Sequence, residues 1–303
     1  MAPLSQLTAQ PGACRNAPTC LPEVAGTSSE TCGREAPFGH SRVDPFGRII
    51  DYLRISVTDR CNERCLYCMP RGYRGWDCAP DPLSAAEILR VARVAADMGF
   101  RKFRLTGGEP LVRRDLPDLV QAMAAIPGVE SIGISTNGTR LSQLARALYH
   151  PKVRSINVSL DALDPAVYRR VTGGEVGTVL AGIEAALAAG FECVKLNCVL
   201  MRGVSEAQLW PLVHYAGERQ LPLRLIELMP LTSAEALAPD QFFPLKEAMD
   251  MLGSREDLIP QPHRRVGWGP AKYYLLARTG VLVGFIGALT NPHFCETCNK
   301  MRL

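Results

Sequence analysis

From Tyr52 onward, short runs rich in β-branched residues alternate with apolar stripes at helical spacing, and this alternation leaves few folds open. The spacing predicts strands over Leu53–Thr58, Lys102–Thr106, Ser131–Thr136, Ser155–Leu160, Cys193–Leu200 and Leu223–Glu227. Between them it predicts helices over Ser84–Met98, Asp115–Ala125, Leu141–Tyr149, Thr178–Ala189 and Ser205–Arg219. Ser84 with Glu87, and Ser205 with Gln208, form capping-box patterns, and Gly99 and Gly190 stand where left-handed C-caps belong. Repeated β-crossover-β units dictate a parallel sheet with right-handed connections, either an open doubly wound sheet or a barrel that need not close. In both, chemistry collects at the C-terminal ends of the strands. The unusual residues obey that rule. Cys61, Cys65 and Cys68 follow the first strand, Gly107-Gly108-Glu109-Pro110 the second, Asn137-Gly138 the third, Asp161 the fourth and Met229-Pro230 the sixth.

A chain of 303 residues that is 47% hydrophobic and 21% charged fits one large α/β barrel or two modest domains, and excludes a fibrous or wholly disordered chain. Its apolar runs are broken by charge well short of the roughly 18 residues that a membrane helix needs, and the N-terminus lacks the order of a secretory signal. A soluble, cytoplasmic protein with no membrane partner is expected. Thirty-four basic against thirty acidic residues give +4, too little to argue for nucleic acid, so an anionic ligand must be held locally. Residues 1–42 read as a disordered leader containing Cys14, Cys20 and Cys32. Glu23, Glu30 and Glu35 count against an organelle transit peptide there.

With no secretory signal, a disulfide framework is not expected among the eleven cysteines; close clusters read as metal or iron–sulfur ligands, and isolated ones as small core residues. Cys61, Cys65 and Cys68 place three thiols in one loop directly after a strand. A closed zinc site wants four ligands, and no histidine stands near, although a three-cysteine zinc knuckle stays open as the plainer reading. Three thiolates on a four-iron cube leave one iron free to bind a small molecule through an amine and a carboxylate. In Gly107-Gly108-Glu109-Pro110 two glycines let backbone approach a ligand and an acid beside them can accept from an ammonium, though a Gly-Gly turn alone is commonly a tight loop.

The CxxxCxxC string resembles the signature of radical S-adenosylmethionine (SAM) enzymes, and the Gly-Gly-Glu-Pro string resembles their SAM-amine motif. Longer strings narrow the likeness: Tyr52 to Cys61, Arg104 to Asp115, Ile156 to Asp161, Gly269 to Tyr274 and Phe294 to Leu303 resemble the GTP 3',8-cyclase family of molybdenum cofactor biosynthesis. The likeness runs from about Pro45 to the last residue. It implies an α/β fold, an incomplete (β/α)6 TIM-type barrel over 43–230, followed by a C-terminal auxiliary-cluster region over 231–303. It implies two 4Fe-4S clusters, SAM cleavage to a 5'-deoxyadenosyl radical, removal of hydrogen from the ribose C3' of GTP, and attack of that carbon on C8, a lyase reaction yielding 3',8-cyclo-7,8-dihydro-GTP.

Residue by residue, the resemblance puts Cys61, Cys65 and Cys68 on the SAM cluster and aligns Tyr67, Gly108, Ser159 and Met229 with SAM-contacting positions. Arg54, Arg104, Ser135 and Lys195 align with GTP-contacting positions, as do Lys300 and Arg302. A triphosphate needs several cations, although an Arg or Lys in a strand more commonly covers an apolar edge with its stem. Ser135 stands where the family commonly has Thr, and Lys300 where it has an arginine, whose bidentate fork an ammonium cannot reproduce. Cys295 and Cys298 begin the second-cluster motif, whose third ligand and Gly-Gly tail lie beyond Leu303. A truncated chain with a defective second cluster is therefore expected, with Cys193, Cys198 or Cys78 as substitute ligands if it is not truncated. The partners implied are GTP, an electron donor such as flavodoxin or ferredoxin, the next-step cyclic pyranopterin synthase, and a second copy in a homodimer. The competing expectations are a radical SAM maturase acting on a peptide, and a non-catalytic cluster-binding remnant.

Overall fold

The computed structural model describes residues 43–68, 81–229, 241–264, 266–267, 269–287, 289–291, 296 and 298–303. Ten strands form one sheet: β1 (Tyr52–Ser56), β2 (Lys102–Thr106), β3 (Ser131–Thr136), β4 (Val153–Ser159), β5 (Cys193–Leu200), β6 (Leu223–Glu227), β7 (Leu258–Pro260), β8 (Lys272–Leu276), β9 (Leu282–Ile286) and β10 (Lys300–Arg302). Their order is β10-β1-β2-β3-β4-β5-β6-β9-β8-β7. Every neighbouring pair from β10 to β9 is parallel, and β8 and β7 continue the sheet antiparallel at one edge. The sheet is open, with β10 and β7 as its two edges.

The crossovers are α1 (Ala85–Asp97), α2 (Leu116–Ala124), α3 (Leu141–Leu148), α4 (Pro165–Thr172), α5 (Val176–Ala188), α6 (Ser205–Glu218) and α7 (Leu245–Gly253). Six βα units therefore follow one another, as the expected incomplete barrel requires. β2, β3, β5 and β6 have the predicted bounds, β1 ends earlier at Ser56, and β4 runs from Val153 to Ser159. The predicted helices shift by at most two residues at their ends. The sequence did not lead us to α4, α7 or the four short strands β7 to β10.

Parallel strands buried on both faces normally read as unbroken apolar runs. Here they alternate. Leu53 and Ile55, Phe103 and Leu105, Ile132 and Ile134, Ile156 and Val158, and Val194 and Leu196 are buried on the outer face against Ile88, Leu119, Val120, Ile183 and Leu212. Each such side chain contributes roughly 1.5–3 kcal/mol by leaving water. The other face carries Tyr52, Arg54, Arg104, Ser135, Asn157, Lys195 and Arg224, so it is shaped for something other than core.

Local signals place the crossovers. The α1 capping box is formed in both directions, Glu87 N donating to Ser84 Oγ (3.3 Å) and Ser84 N to Glu87 Oε2 (2.8 Å). Gly99 takes φ +94° and lets Phe100 N reach back to Ala95 O at 2.9 Å. The second box does not form. Val204 occupies the cap position, Ser205 Oγ accepts from Met201 N at 2.8 Å, and Gln208 Oε1 accepts from Leu163 N at 3.0 Å and Asp164 N at 3.3 Å. Both side chains are buried, where the loops leading into α4 and α6 offer amides needing acceptors. Among the described residues no single helix is long and apolar enough to cross a membrane.

Candidate active site

A cavity of about 390 Å³ runs along the inner face of the sheet to the C-terminal ends of β1 to β6. One end is thiol and acid. Cys61, Cys65 and Cys68 line it together with Glu63, Tyr67, Glu109 and Asp161. Two sides hold the cysteine loop: Arg64 N and Leu66 N donate to Thr172 O and Val171 O of α4 (2.7 and 2.9 Å), while Asn62 bonds to Asn137 (3.0 Å) and Thr139 (2.9 Å) beyond β3. Burial pushes the Cys61 thiol up, and Glu63 N, which donates to its Sγ at 3.5 Å, opposes that rise. A bond from Cys65 holds the Cys68 thiol below its ordinary range, and the same bond with burial pushes Cys65 up. Among the described residues no three His, Cys, Asp or Glu are gathered tightly enough for a single metal ion. Three thiols on one anchored loop, with an amide aimed at a sulfur, instead fit a polynuclear cluster that takes each thiolate on its own corner.

The carboxylates at this end are buried and structurally engaged. Tyr67 donates to Asp161 Oδ2 (2.7 Å), Val199 N to Oδ1 (2.8 Å), and Tyr168 to Glu63 Oε1 (2.9 Å). Burial raises Asp161 to about 6 and Glu63 to about 7. Glu109, raised by burial to about 6, accepts from Leu111 N (2.9 Å), Thr136 Oγ1 (2.7 Å) and Asn137 N (2.6 Å). It therefore braces the β2 and β3 loops while lining the cavity, and its Oε2, which accepts one bond, keeps acceptor capacity. The glycines before it are likewise set against protein. A Cβ on Gly107 would stand 2.2 Å from Thr58 O, and one on Gly108 2.4 Å from Arg60 O, so both let the β2 loop close onto the chain entering Cys61.

The opposite end is cationic. Arg54, Arg104, Lys195, Arg224, Lys300 and Arg302 line the same cavity, and among the described residues no carboxylate pairs with any of them. The registers bring them there: Arg54 is level with Arg104 on β2 and with Arg302 on β10. Arg104 is buried and makes four hydrogen bonds, its Nε on the Tyr52 hydroxyl and its Nη atoms on Ile134 O, Ser135 Oγ and Ser155 Oγ (3.2, 3.3 and 2.9 Å), which leaves one N–H of Nη2 for a ligand. Arg54 Nη2 donates to Thr106 Oγ1 at 3.1 Å. Burial, then the neighbouring cations, lowers Arg54 and Lys300. Burial lowers Lys195 to about 8, with the Cys193 thiol opposing and Arg224 and Arg104 adding to the fall.

Among the described residues, four of the seven buried side-chain polar atoms without a hydrogen-bond partner belong to residues lining this cavity: Asn157 Oδ1, Lys195 Nζ, Asn197 Oδ1 and Arg224 Nε. Cys193 lies near enough to Lys195 to affect its charge, but no polar atom meets Nζ in bonding geometry. Buried polar groups left unmet cost on the order of 1–3 kcal/mol each, so the cavity is built for a polar ligand.

Tyr67, Gly108, Ser159, Arg54, Arg104, Ser135, Lys195, Lys300, Arg302, Cys61, Cys65 and Cys68 thus share one cavity. Met229 does not join them: it is half-buried just past β6, outside the lining. Cys298 lines a second cavity of about 900 Å³ that meets the first at Gly269, Pro270 and Lys300. Cys295 and Cys78 lie outside the described residues. Cys198 is buried in the core, while Cys193 is half-buried on the inner face, level with Ser155. Sequence reasoning missed Glu63, Tyr52, Asn157, Asn197 and Arg224. A parity signal was present for four of them: Tyr52 is two residues before Arg54, Asn157 two before Ser159, and Asn197 two after Lys195, while Arg224 alternates with leucines on β6.

Comparison with known proteins adds to this geometry. Residues 55–216 match the family model described as the radical SAM superfamily, and residues 221–303 match Molybdenum Cofactor Synthesis C. The GTP 3',8-cyclase of Pelotomaculum thermopropionicum is 43% identical over 262 residues, covering 86% of this chain and 80% of that protein. That of Rhizobium meliloti is 42% identical over 265 residues, covering 86% and 74%. Among solved structures, Streptococcus suis SuiB bound to S-adenosylmethionine superposes with a TM-score of 0.59 at 16% identity, over 84% of this chain and 58% of that one, a likeness of fold.

Proposed function

Because the chain belongs to the GTP 3',8-cyclase family of the radical SAM superfamily, we propose that its polarised cavity binds GTP and SAM end to end and converts GTP to 3',8-cyclo-7,8-dihydro-GTP, a lyase reaction that opens molybdenum cofactor biosynthesis. The observation that carries this reading is the set of six cations with no carboxylate partner among the described residues, in the cavity that three thiols line at its other end. A triphosphate supplies the missing negative charge, and few other metabolites carry enough of it. A peptide would not require that concentration of cations.

Cys61, Cys65 and Cys68 would hold the 4Fe-4S cluster, and Tyr67, Gly108 and Ser159, which line the same cavity, would contact SAM beside it. When bound, cluster and SAM together supply the radical that takes hydrogen from the ribose C3'. The protein's own residues position and shield. Arg104, held on four sides, presents its cation with little reorganisation on binding, and Arg54 is steadied by Thr106. Lys195 and Arg224 have polar atoms awaiting a partner that phosphate oxygens would satisfy. Along β5, Lys195, Asn197 and Val199 share the inner face, and four residues of strand span about 13 Å, so the phosphate seat and the thiol end are separated by roughly a nucleoside. Ser135, Asn157 and Ser159 lie between them as neutral polar groups suited to the sugar.

We assign residues 43–230 to the SAM-binding partial barrel and 231–303 to a region in which Cys298, with Cys295, begins a second iron–sulfur site. An external one-electron donor such as a flavodoxin or ferredoxin and a product-consuming cyclic pyranopterin synthase complete the reading. Anaerobic reconstitution followed by GTP titration and product chromatography tests it. Saturable GTP binding that Arg54→Ala or Lys195→Ala weakens supports the assignment, and wild-type protein that fails to bind GTP overturns it.

A further inference from the structure

Tyr52 is buried at the start of β1, its ring lining the cationic end of the cavity, and it touches two of the six cations in different ways. Its hydroxyl oxygen accepts from Arg104 Nε. The Lys300 ammonium stands over its ring, 5.6 Å from the centroid, and the Arg104 guanidinium carbon lies 6.0 Å from it. Lys300 is level with Tyr52 across the β1–β10 pair, so the two are fixed neighbours on adjacent strands.

These contacts divide the tyrosine into two working parts. A phenol oxygen that accepts from Arg104 must direct its own proton elsewhere, and no hydrogen bond donated by it is made among the described residues, which leaves the O–H to a ligand in the cavity that Tyr52 lines. The ring face, electron-rich at its centre, steadies an ammonium that has no carboxylate partner among the described residues. A lysine on a flexible stem is otherwise a poorly placed phosphate ligand, since it lacks the rigid fork of arginine. The ring supplies some of the placement that the fork would have given.

We propose that Tyr52 positions the polyphosphate seat: its oxygen sets the angle of Arg104, its ring fixes Lys300, and its free O–H donates to a phosphate oxygen of the bound nucleotide. The proposal rests on the GTP reading above and adds to it a residue that touches the ligand and organises two of the cations.

The test is equilibrium binding of GTP, and of guanosine as the phosphate-free control, to the anaerobically reconstituted full chain and to Tyr52→Phe, Tyr52→Leu, Lys300→Ala and Tyr52→Leu/Lys300→Ala. Tyr52→Phe keeps the ring and is expected to weaken GTP binding about tenfold, the size of one lost hydrogen bond to a charged group, with guanosine affinity unchanged. Lys300→Ala is expected to cost at least about threefold more in the wild-type background than in Tyr52→Leu, as a cation–π contact of ordinary strength requires. Tyr52→Phe binding GTP like wild type, or losses that simply multiply in the double variant, would overturn the proposal. If Tyr52→Leu does not fold, the ratio of GTP to guanosine affinity in Tyr52→Phe decides alone. Loss of GTP binding by the wild type is a different result, and defeats the nucleotide reading itself.

Discussion

Gly133 lies directly beneath the guanidinium of Arg104: a Cβ built on it would stand 2.5 Å from an Nη atom and 2.9 Å from Ser155 Oγ. The two are level on adjacent strands, so the absent side chain is the space that the arginine fills. Gly133→Ala is expected to push Arg104 off its partners and raise the KM for GTP about tenfold, equivalent to about 1.4 kcal/mol, with a smaller change in kcat. Steady-state kinetics check this, and an unchanged KM would mean that Arg104 does not need its present position.

Replacing any one of Cys61, Cys65 or Cys68 by alanine removes a thiolate from the loop held between α4 and the β3 turn. Each variant is expected to lose 5'-deoxyadenosine formation to background, measured chromatographically after reduction with dithionite. Sustained SAM cleavage in one of them would remove that cysteine from the ligand set.

Lys195 gives the binding a pH dependence. Burial chiefly, then Arg224 and Arg104, lower it to about 8, so it carries its charge below that pH and loses it above. GTP affinity is expected to show a fall that begins near pH 8, where the nucleotide's own phosphates no longer titrate, and that step is expected to be missing in Lys195→Met, any decline at higher pH there belonging to Lys300 and the guanine ring. Without ligand the sign for folding is the reverse: the unfolded lysine holds its proton longer, so this group makes the protein more stable as pH rises from about 8 toward 10.5. Calorimetric titrations at three or four pH values would show whether the step is present in the wild type alone.

Glu109 makes three hydrogen bonds from a buried position, so its removal leaves two amides and a hydroxyl without their acceptor. Glu109→Ala is expected to lower unfolding free energy by about 3 kcal/mol or more, and Glu109→Gln by less, since one oxygen remains. Urea unfolding of the cluster-free protein reads this directly; equal stability of Glu109→Ala and wild type would show that the brace is not needed.

What the sequence made legible follows from the physics of each signal. β2, β3, β5 and β6 alternate apolar with polar or small residues after a helical stripe, and their bounds were readable to the residue. α4 was missed because its eight residues, begun by Asp164 and Pro165 and ended by Gly173, carry too few apolar side chains to mark a period, whereas α3 of the same length has Leu141, Leu144, Ala145 and Leu148 on one face. β10 was missed because three residues carry no period, and only its pairing with β1 makes it a strand. In the site, Arg54, Arg104 and Lys195 came from motif resemblance. Tyr52 and Arg224 are single polar residues in strands, which become meaningful only when the register turns them toward the same space. The Ser205–Gln208 pair was misread because a buried acceptor bonds to whichever amides the fold leaves nearest.

The pairing of β10 with β1 sets Arg302 beside Arg54 and bonds Leu303 to Arg54 O and Ser56 N, joining segments from opposite ends of the described chain. β1 is therefore synthesised long before the strand that covers its edge. A partly made polypeptide can bury most of its hydrophobic interior while the cations of β10 have yet to join those of β1, so on the nucleotide reading proposed above, GTP affinity reports the β1–β10 pairing more sensitively than overall folding does.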